Sequence, residues 1–283
     1  MPTIVVIGSV NLDLVATVDR LPAPGETVTG AELSRFPGGK GANQALAAQR
    51  LGADVKLVAC VGTDAAAEEA LALLREGGVE LSDCQSVDDA STGTALIAVA
   101  ASGENHIVVA PGANRQLGPE SLNVPAADAL ICQLEIPTET IARAAELFAG
   151  FFCVNLAPAM HVEVSILQRA DLVVVNESEA AWYGDSLSAC TGMIATTFGA
   201  AGAVLSRRGD DIARTKPPRV EAVDTTAAGD TFTAALTVAL VEGQEPEAAL
   251  QFACAAGAAA ATKRGAQPSL PTRDEVIVLL ERP

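Results

Sequence analysis

The 283-residue chain carries 35 acidic against 18 basic side chains, a formal net charge of −17, which argues against any general affinity for nucleic acid or an anionic membrane. Apolar residues make up 49 % and aromatic residues only 3 %, so the core must rest on Ala, Val and Leu. That composition suits helices packed closely on a parallel sheet, and the length suits one large α/β domain spanning residues 1–283.

Met1-Pro2-Thr3 leads straight into a strand, Thr3 to Ile7, without the pattern of a signal peptide. A second extended run, Asp13 to Val18, follows almost at once, and Pro22, Pro24 and Gly25 mark a turn. A helix is expected from near Gly38 to Gly52, a buried strand over Val55 to Cys60, and a helix over Ala65 to Glu76. Thr94 to Ala100 and His106 to Ala110, joined by Ser102-Gly103-Glu104-Asn105, read as a hairpin.

Regular alternation follows. Strands are expected at Leu130 to Gln133, Phe152 to Asn155, Leu172 to Val175, Ile194 to Thr197 and Ala203 to Ser206. Helices are expected at Thr138 to Phe148, Glu177 to Tyr183, Asp230 to Val241, Pro246 to Lys263 and Arg273 to Glu281. This order predicts a doubly wound, mostly parallel sheet flanked by helices. The early extended pieces do not fit the alternation and form a small separate β-layer, about residues 12–36 and 90–110, that could cover a site. No apolar run reaches the length of a membrane span. The six scattered cysteines, without a Cys-x-x-Cys pair, read as small buried hydrophobes of a reducing compartment, so the expected location is the cytoplasm. His106 and His161 are isolated and form no triad.

Ligands of open α/β sheets bind beyond the C-terminal ends of the strands. That rule nominates Asn11 and Asp13, Glu135, Asn176 and Glu179, and Asp224 with Asp230. Two segments add to it. In Asp224-Thr225-Thr226-Ala227-Ala228-Gly229-Asp230, small residues precede a helix whose free N–H groups can receive a bulky anion. An acid there repels phosphate, but it makes sense as a base that takes a proton from an attacking hydroxyl; the plain alternative is a capping Asp. In Pro37-Gly38-Gly39-Lys40-Gly41-Ala42-Asn43-Gln44-Ala45, the glycines allow close backbone approach and Asn43 offers an amide. It is neither a Walker A loop nor a dinucleotide fingerprint, since position 44 is Gln where that spacing wants Gly.

The two segments together, about 180 residues apart, closely resemble the motifs of the ribokinase family of sugar kinases, the phosphofructokinase-B superfamily. Asn11-Leu12-Asp13, Gln133-Leu134-Glu135-Ile136-Pro137 and Gly265-Ala266-Gln267-Pro268-Ser269 narrow the resemblance to the ribose kinases of that family. It implies Asp230 as catalytic base and the N–H groups of Ala227, Ala228 and Gly229 as an anion hole. It implies Asn11, Asp13, Gly39, Gly41, Asn43 and Glu135 around the sugar, with Lys40 either beside the phosphates or a plain surface lysine. It implies Asn176, Thr197, Gly199, Gly202, Gly229 and Cys254 at ATP, and Glu179 placing Mg²⁺ through water. A K⁺ site would draw on Asp224, Thr226, Ala260, Lys263, Gly265 and Ser269. The small β-layer would be a lid with Ala95 and Ile97 on its inner face, pairing across a homodimer.

The chain departs from the family in the segment 184–193, too short for the usual extra helix, and in Cys254, where relatives carry a polar residue. The implied activity is ATP-dependent phosphorylation of D-ribose at its 5-hydroxyl. Another small sugar or nucleoside, such as deoxyribose, is the alternative substrate, and a non-catalytic sensor is the alternative class.

Overall fold

Strand and helix alternate in the computed structural model, which describes residues 1–281, much as the apolar runs require. In chain order these are β1 (Thr3–Ile7), β2 (Asn11–Val18), β3 (Glu32–Gly38), α1 (Lys40–Arg50), β4 (Asp54–Gly62), α2 (Ala65–Glu76), β5 (Cys84–Val87), β6 (Gly93–Ala100) and β7 (Asn105–Ala110). There follow β8 (Ala129–Gln133), α3 (Thr138–Leu147), β9 (Phe151–Asn155), α4 (Val164–Arg169), β10 (Leu172–Asn176) and α5 (Glu177–Tyr183). The chain continues with β11 (Met193–Thr197), β12 (Ala203–Arg207), β13 (Asp210–Thr215), α6 (Ala228–Val241), α7 (Pro246–Ala260), α8 (Ala266–Ser269) and α9 (Arg273–Leu280).

Nine strands form the main sheet in the order β13-β12-β11-β10-β9-β8-β1-β4-β5. From β5 to β11 all pairings are parallel. The edge departs from the expected parallel pattern: β12 and β13 run antiparallel to their neighbours. The loop from Phe198 to Gly202 is too short for a crossover helix, so β12 can only turn back. β1 pairs with both β4 and β8, so winding reverses there and a crevice opens beyond its C-terminal end. The shortened segment Gly184–Ala189 forms a 3₁₀ turn in place of a full helix.

The alternation of β1 shows how the core divides. Ile4 and Val6 face a layer built with α1, α6 and α7, whereas Val5 and Ile7 face one built with α3 and α4. The Ala-rich helices pack closely: a Cβ on Gly257 of α7 would stand 3.1 Å from the Ala228 carbonyl of α6. Five of the six cysteines are buried, as their apolar surroundings suggest. Among the described residues no helix is long and apolar enough to cross a membrane.

The separate layer is a four-stranded sheet, β3-β2-β6-β7. Its register sets Asp13, Phe36, Ala95 and Val109 in one row and Val15, Ser34, Ile97 and Ile107 in the next, on one face. Ala95 is buried and Ile97 half-buried on the face shared with Asp13. The Arg35–Glu69 ion pair (2.8 Å) ties β3 to α2.

Candidate active site

The crevice is assembled by two close backbone approaches. Gly39 caps α1 with φ 87°, and a Cβ there would lie 2.7 Å from the Asn11 amide nitrogen. A Cβ on Gly41 would lie 2.5 Å from the carbonyl carbon of Gly8. Only glycine lets the first turn of α1 rest on the β1–β2 connection, and this carries Lys40, Asn43 and Gln44 over the strand ends. On the far side α6 begins at Ala228. The Ala228 N–H donates to the Thr225 carbonyl (3.2 Å), so one of the three expected anion-hole donors is already engaged in a turn. No protein acceptor among the described residues meets the N–H groups of Ala227 and Gly229. Gly229 is exposed, and nothing lies within 4 Å of where its Cβ would stand.

Asp230 is buried at the base of this cradle. Asn43 Nδ2 donates to its Oδ2 and Gln44 Nε2 to its Oδ1, both at 2.9 Å. Burial pushes the carboxyl above its usual range, while Lys40 and the two amides act against that rise. Asn43 Oδ1 is buried without a partner, an acceptor suited to a ligand hydroxyl. Glu135, beyond β8, accepts from the Ser9 hydroxyl (2.6 Å) and the Lys40 amide (3.0 Å) through one oxygen. Asn11 accepts from Asn114 Nδ2 at 2.8 Å. Asp13 is raised from 3.8 to about 7 by burial and by the carboxylates of Glu135 and Asp230, against the pull of Lys40. Lys40 is no free surface lysine: although its own burial opposes the charge, Asp230, Glu135, Glu179 and Asp13 raise its pKa. Acids, amides and one ammonium thus converge as hydroxyl ligands. A cleft of about 500 Å³ opens beside Asn11 and Glu135, walled by Val109, Ile136, Pro158 and Met160.

Asn176 and Glu179 sit together at the start of α5 as a capping box: Glu179 N–H donates to Asn176 Oδ1, and Asn176 N–H to Glu179 Oε2, both at 2.8 Å. This commits one oxygen of each and leaves Glu179 Oε1 and Asn176 Nδ2. Burial raises the Glu179 carboxyl, with Lys40 acting against it. Thr197 ends β11, and Gly199 (φ 54°) and Gly202 (φ 104°) shape the turn after it. A second cleft of about 400 Å³ lies there among Phe198, Val204, Arg214 and Lys216. Cys254 is buried in α7, its thiol pushed up to about 12, so it offers an apolar surface and not an anion.

The expected cation ligands also gather. Asp224 Oδ1 accepts from the Thr226 N–H (3.0 Å) and hydroxyl, and Asp224 Oδ2 accepts from the Gly265 N–H (2.9 Å). Burial acts to raise Asp224, but these hydrogen bonds and Arg264 hold it below its usual value. The Ser269 hydroxyl donates to the Ala266 carbonyl (2.8 Å), and the Ala260 carbonyl receives the Lys263 amide at a long 3.4 Å. The Lys263 side chain turns away to Glu275 (2.8 Å). One carboxylate among carbonyls and a hydroxyl is a donor set that fits a weakly hydrated monovalent cation. The lid sheet touches this loop: Phe36 of β3 occupies the space beside Gly265, leaving 2.7 Å to a Cβ there.

Sequence reasoning missed Ser9, Asn114 and Asn155 and gave Gln44 and Gln133 no role. All five are buried and act only on residues distant in sequence.

Known proteins resemble the chain along nearly its whole length. The model of the pfkB family carbohydrate kinases matches residues 1–273. The chain is 40 % identical over 294 residues to ribokinase of Bacillus subtilis, covering 99 % of this chain and 100 % of that protein. It is 37 % identical over 302 residues to ribokinase of Haemophilus influenzae, covering 99 % and 98 %. The crystal structure of Thermotoga maritima ribokinase superposes with a TM-score of 0.91 at 34 % identity, covering 100 % of both chains. The Arabidopsis thaliana ribokinase complexed with ribose and ATP gives 0.89 at 30 %, covering 100 % and 99 %. With the motif residues converging on one crevice and the match running through both of them, the chain belongs to the pfkB family of carbohydrate kinases.

Proposed function

We propose that this sugar kinase transfers the γ-phosphoryl group of ATP to the 5-hydroxyl of D-ribose, giving D-ribose 5-phosphate and ADP. The observation that carries the reading is Asp230: a buried carboxylate on the first turn of α6, bonded to Asn43 and next to the open N–H of Gly229. Asn11, Asp13, Asn43 and Glu135, with the backbone at Gly39 and Gly41, hold the ring hydroxyls. Asp230 accepts the proton of the 5-hydroxyl as its oxygen attacks the γ-phosphorus in line with the departing ADP oxygen. The N–H groups of Gly229 and Ala227, with Ala228 once its turn relaxes, meet the negative charge on the transferring group. Lys40 offsets that charge from the sugar side.

Asn176 Nδ2 and the turn from Thr197 to Gly202 receive the nucleotide, with Cys254 as part of the apolar floor. The remaining oxygen of Glu179 would help hold Mg²⁺, which when bound would offset the charge of the phosphates. The loop of Asp224, Thr226, Ala260, Lys263, Gly265 and Ser269 holds K⁺, whose charge when bound strengthens the positive field behind the anion hole. The four-stranded sheet closes as a lid and keeps water, the competing acceptor, from the phosphoryl group. Leu96, Ile107, Val108 and Val109 are exposed on it, which favours a homodimer joined through the lid. A cytoplasmic location, where ATP is kept supplied, goes with this reading.

The test is ADP release with Mg²⁺-ATP and D-ribose, with and without K⁺, beside Asp230→Ala. Ribose-dependent turnover that rises with K⁺ and collapses in the variant is expected. Silence with ribose but turnover with another small sugar, such as deoxyribose, or a nucleoside would move the substrate and keep the chemistry.

A further inference from the structure

Gln44 stands in the glycine-rich motif, yet the reaction as described gives it no task. It is fully buried on α1, one turn before the buried Ala47 and Ala48. A buried amide needs partners, and it has three. Its Nε2 donates to Asp230 Oδ1 (2.9 Å) and to Asn155 Oδ1 (3.1 Å), and its Oε1 accepts from Gln133 Nε2 (2.7 Å). Asn155 is anchored in turn, its Nδ2 donating to the Val174 carbonyl of β10 (3.1 Å). The orientation of the Gln44 amide follows from this network. Flipped, it would set an oxygen against the oxygens of Asp230 and Asn155, and an NH₂ against that of Gln133.

We propose that Gln44 is the positioning residue of the catalytic base: braced by Gln133 and Asn155, its amide fixes Asp230 Oδ1 so that Oδ2 is the oxygen that takes the proton. The inference rests on the kinase reading above. The geometry separates the two oxygens. Oδ1 faces a relay tied to the ends of β8, β9 and β10, all of it buried. Oδ2 faces Asn43, whose own Oδ1 is free for a substrate hydroxyl. As the new O–P bond forms and the bond to ADP breaks, the proton has a path only to Oδ2. Gln44 touches no reacting atom, and it acts by holding the carboxylate plane and by donating to its charged form. Lys40 from α1, Glu135 beyond β8, Asp13 from β2 and Glu179 from α5 set the remaining field at Asp230. A change at Gln44 leaves all four in place.

The test is Gln44→Met, close in volume but without donors. A lost hydrogen bond to a charged group predicts a fall in kcat on the order of 10- to 100-fold, with the KM for ribose within a few-fold. It also predicts that the acid limb of the kcat profile moves up by about one pH unit, because the protonated base loses a competitor. An unchanged kcat, a loss confined to KM, or a uniform loss without movement of the limb would each overturn the proposal. If Gln44→Met fails to fold, Gln133→Met, one bond further from the base, must show the same two changes at smaller size. A wild-type enzyme silent on ribose would sink the substrate reading separately. The ¹³C titration of the Asp230 carboxyl in the apoprotein then decides: a midpoint that rises in Gln44→Met supports the relay, and an unmoved midpoint refutes it.

Discussion

Asp13 lets the electrostatics of the site be measured as stability. Its carboxyl is buried and faces Glu135 and Asp230, which lifts its pKa from 3.8 to about 7. The unfolded chain ionises near the ordinary value, so the native state binds the extra proton. The penalty therefore begins as pH rises through 3.8 and is complete above 7. With those two values it is about 2 kcal/mol at pH 5 and about 4 kcal/mol at pH 8. Asp13→Asn removes the ionisation and keeps the shape. Relative to wild type, the variant should gain roughly 2 kcal/mol between pH 5 and pH 8, a midpoint difference of roughly 5 °C. Thermal or urea unfolding of both proteins at the two pH values, without sugar, provides the comparison. Ribose binding by calorimetry should weaken in the same variant by roughly 10- to 100-fold, the cost of a charge-assisted hydrogen bond. A gap that stays constant or narrows as pH rises would refute the reasoning, since it would mean that Asp13 ionises freely in the folded protein.

Gly41→Ala sets a methyl 2.5 Å from the backbone of Gly8, so it should cost about 1–3 kcal/mol, lower the melting temperature and raise the KM for ribose as α1 shifts. Asp224→Ala should flatten the response of turnover to K⁺ between zero and 100 mM, and a variant that still responds would move the cation elsewhere. Val108→Glu, at an exposed position of β7, should halve the mass measured by light scattering while leaving the far-ultraviolet circular dichroism unchanged.

The sequence made the central strands and most helices plain, because each buries a continuous or periodic apolar face. Ala65–Glu76 and Glu177–Tyr183 fall where their patterns begin and end. It did not announce β3, β5 or β13. Glu-Leu-Ser-Arg-Phe-Pro-Gly, Cys-Gln-Ser-Val and Asp-Asp-Ile-Ala-Arg-Thr lack the alternation of a strand, and they are held by the neighbour whose ladder they extend. The site divides in the same way. Asn11, Asp13, Asn43, Glu135 and Asp230 were legible because they flank glycines or strand ends. Ser9, Asn114 and Asn155 were not, since their partners lie 126, 103 and 111 residues away, a distance no local pattern encodes. Gln44 left one trace: a polar residue one turn before the apolar Ala47, Ala48 and Leu51.

Asp230 meets Asn43 across 187 residues and Gln44 across 186. The residues proposed for the sugar, up to Glu135, are therefore translated well before the proposed base, anion cradle and cation loop. A chain lacking α6 and α7 also lacks half the layer that packs on α1, so neither motif can be set in place before the last quarter is made. Phosphate transfer would thus report that α6 and α7 have closed over α1.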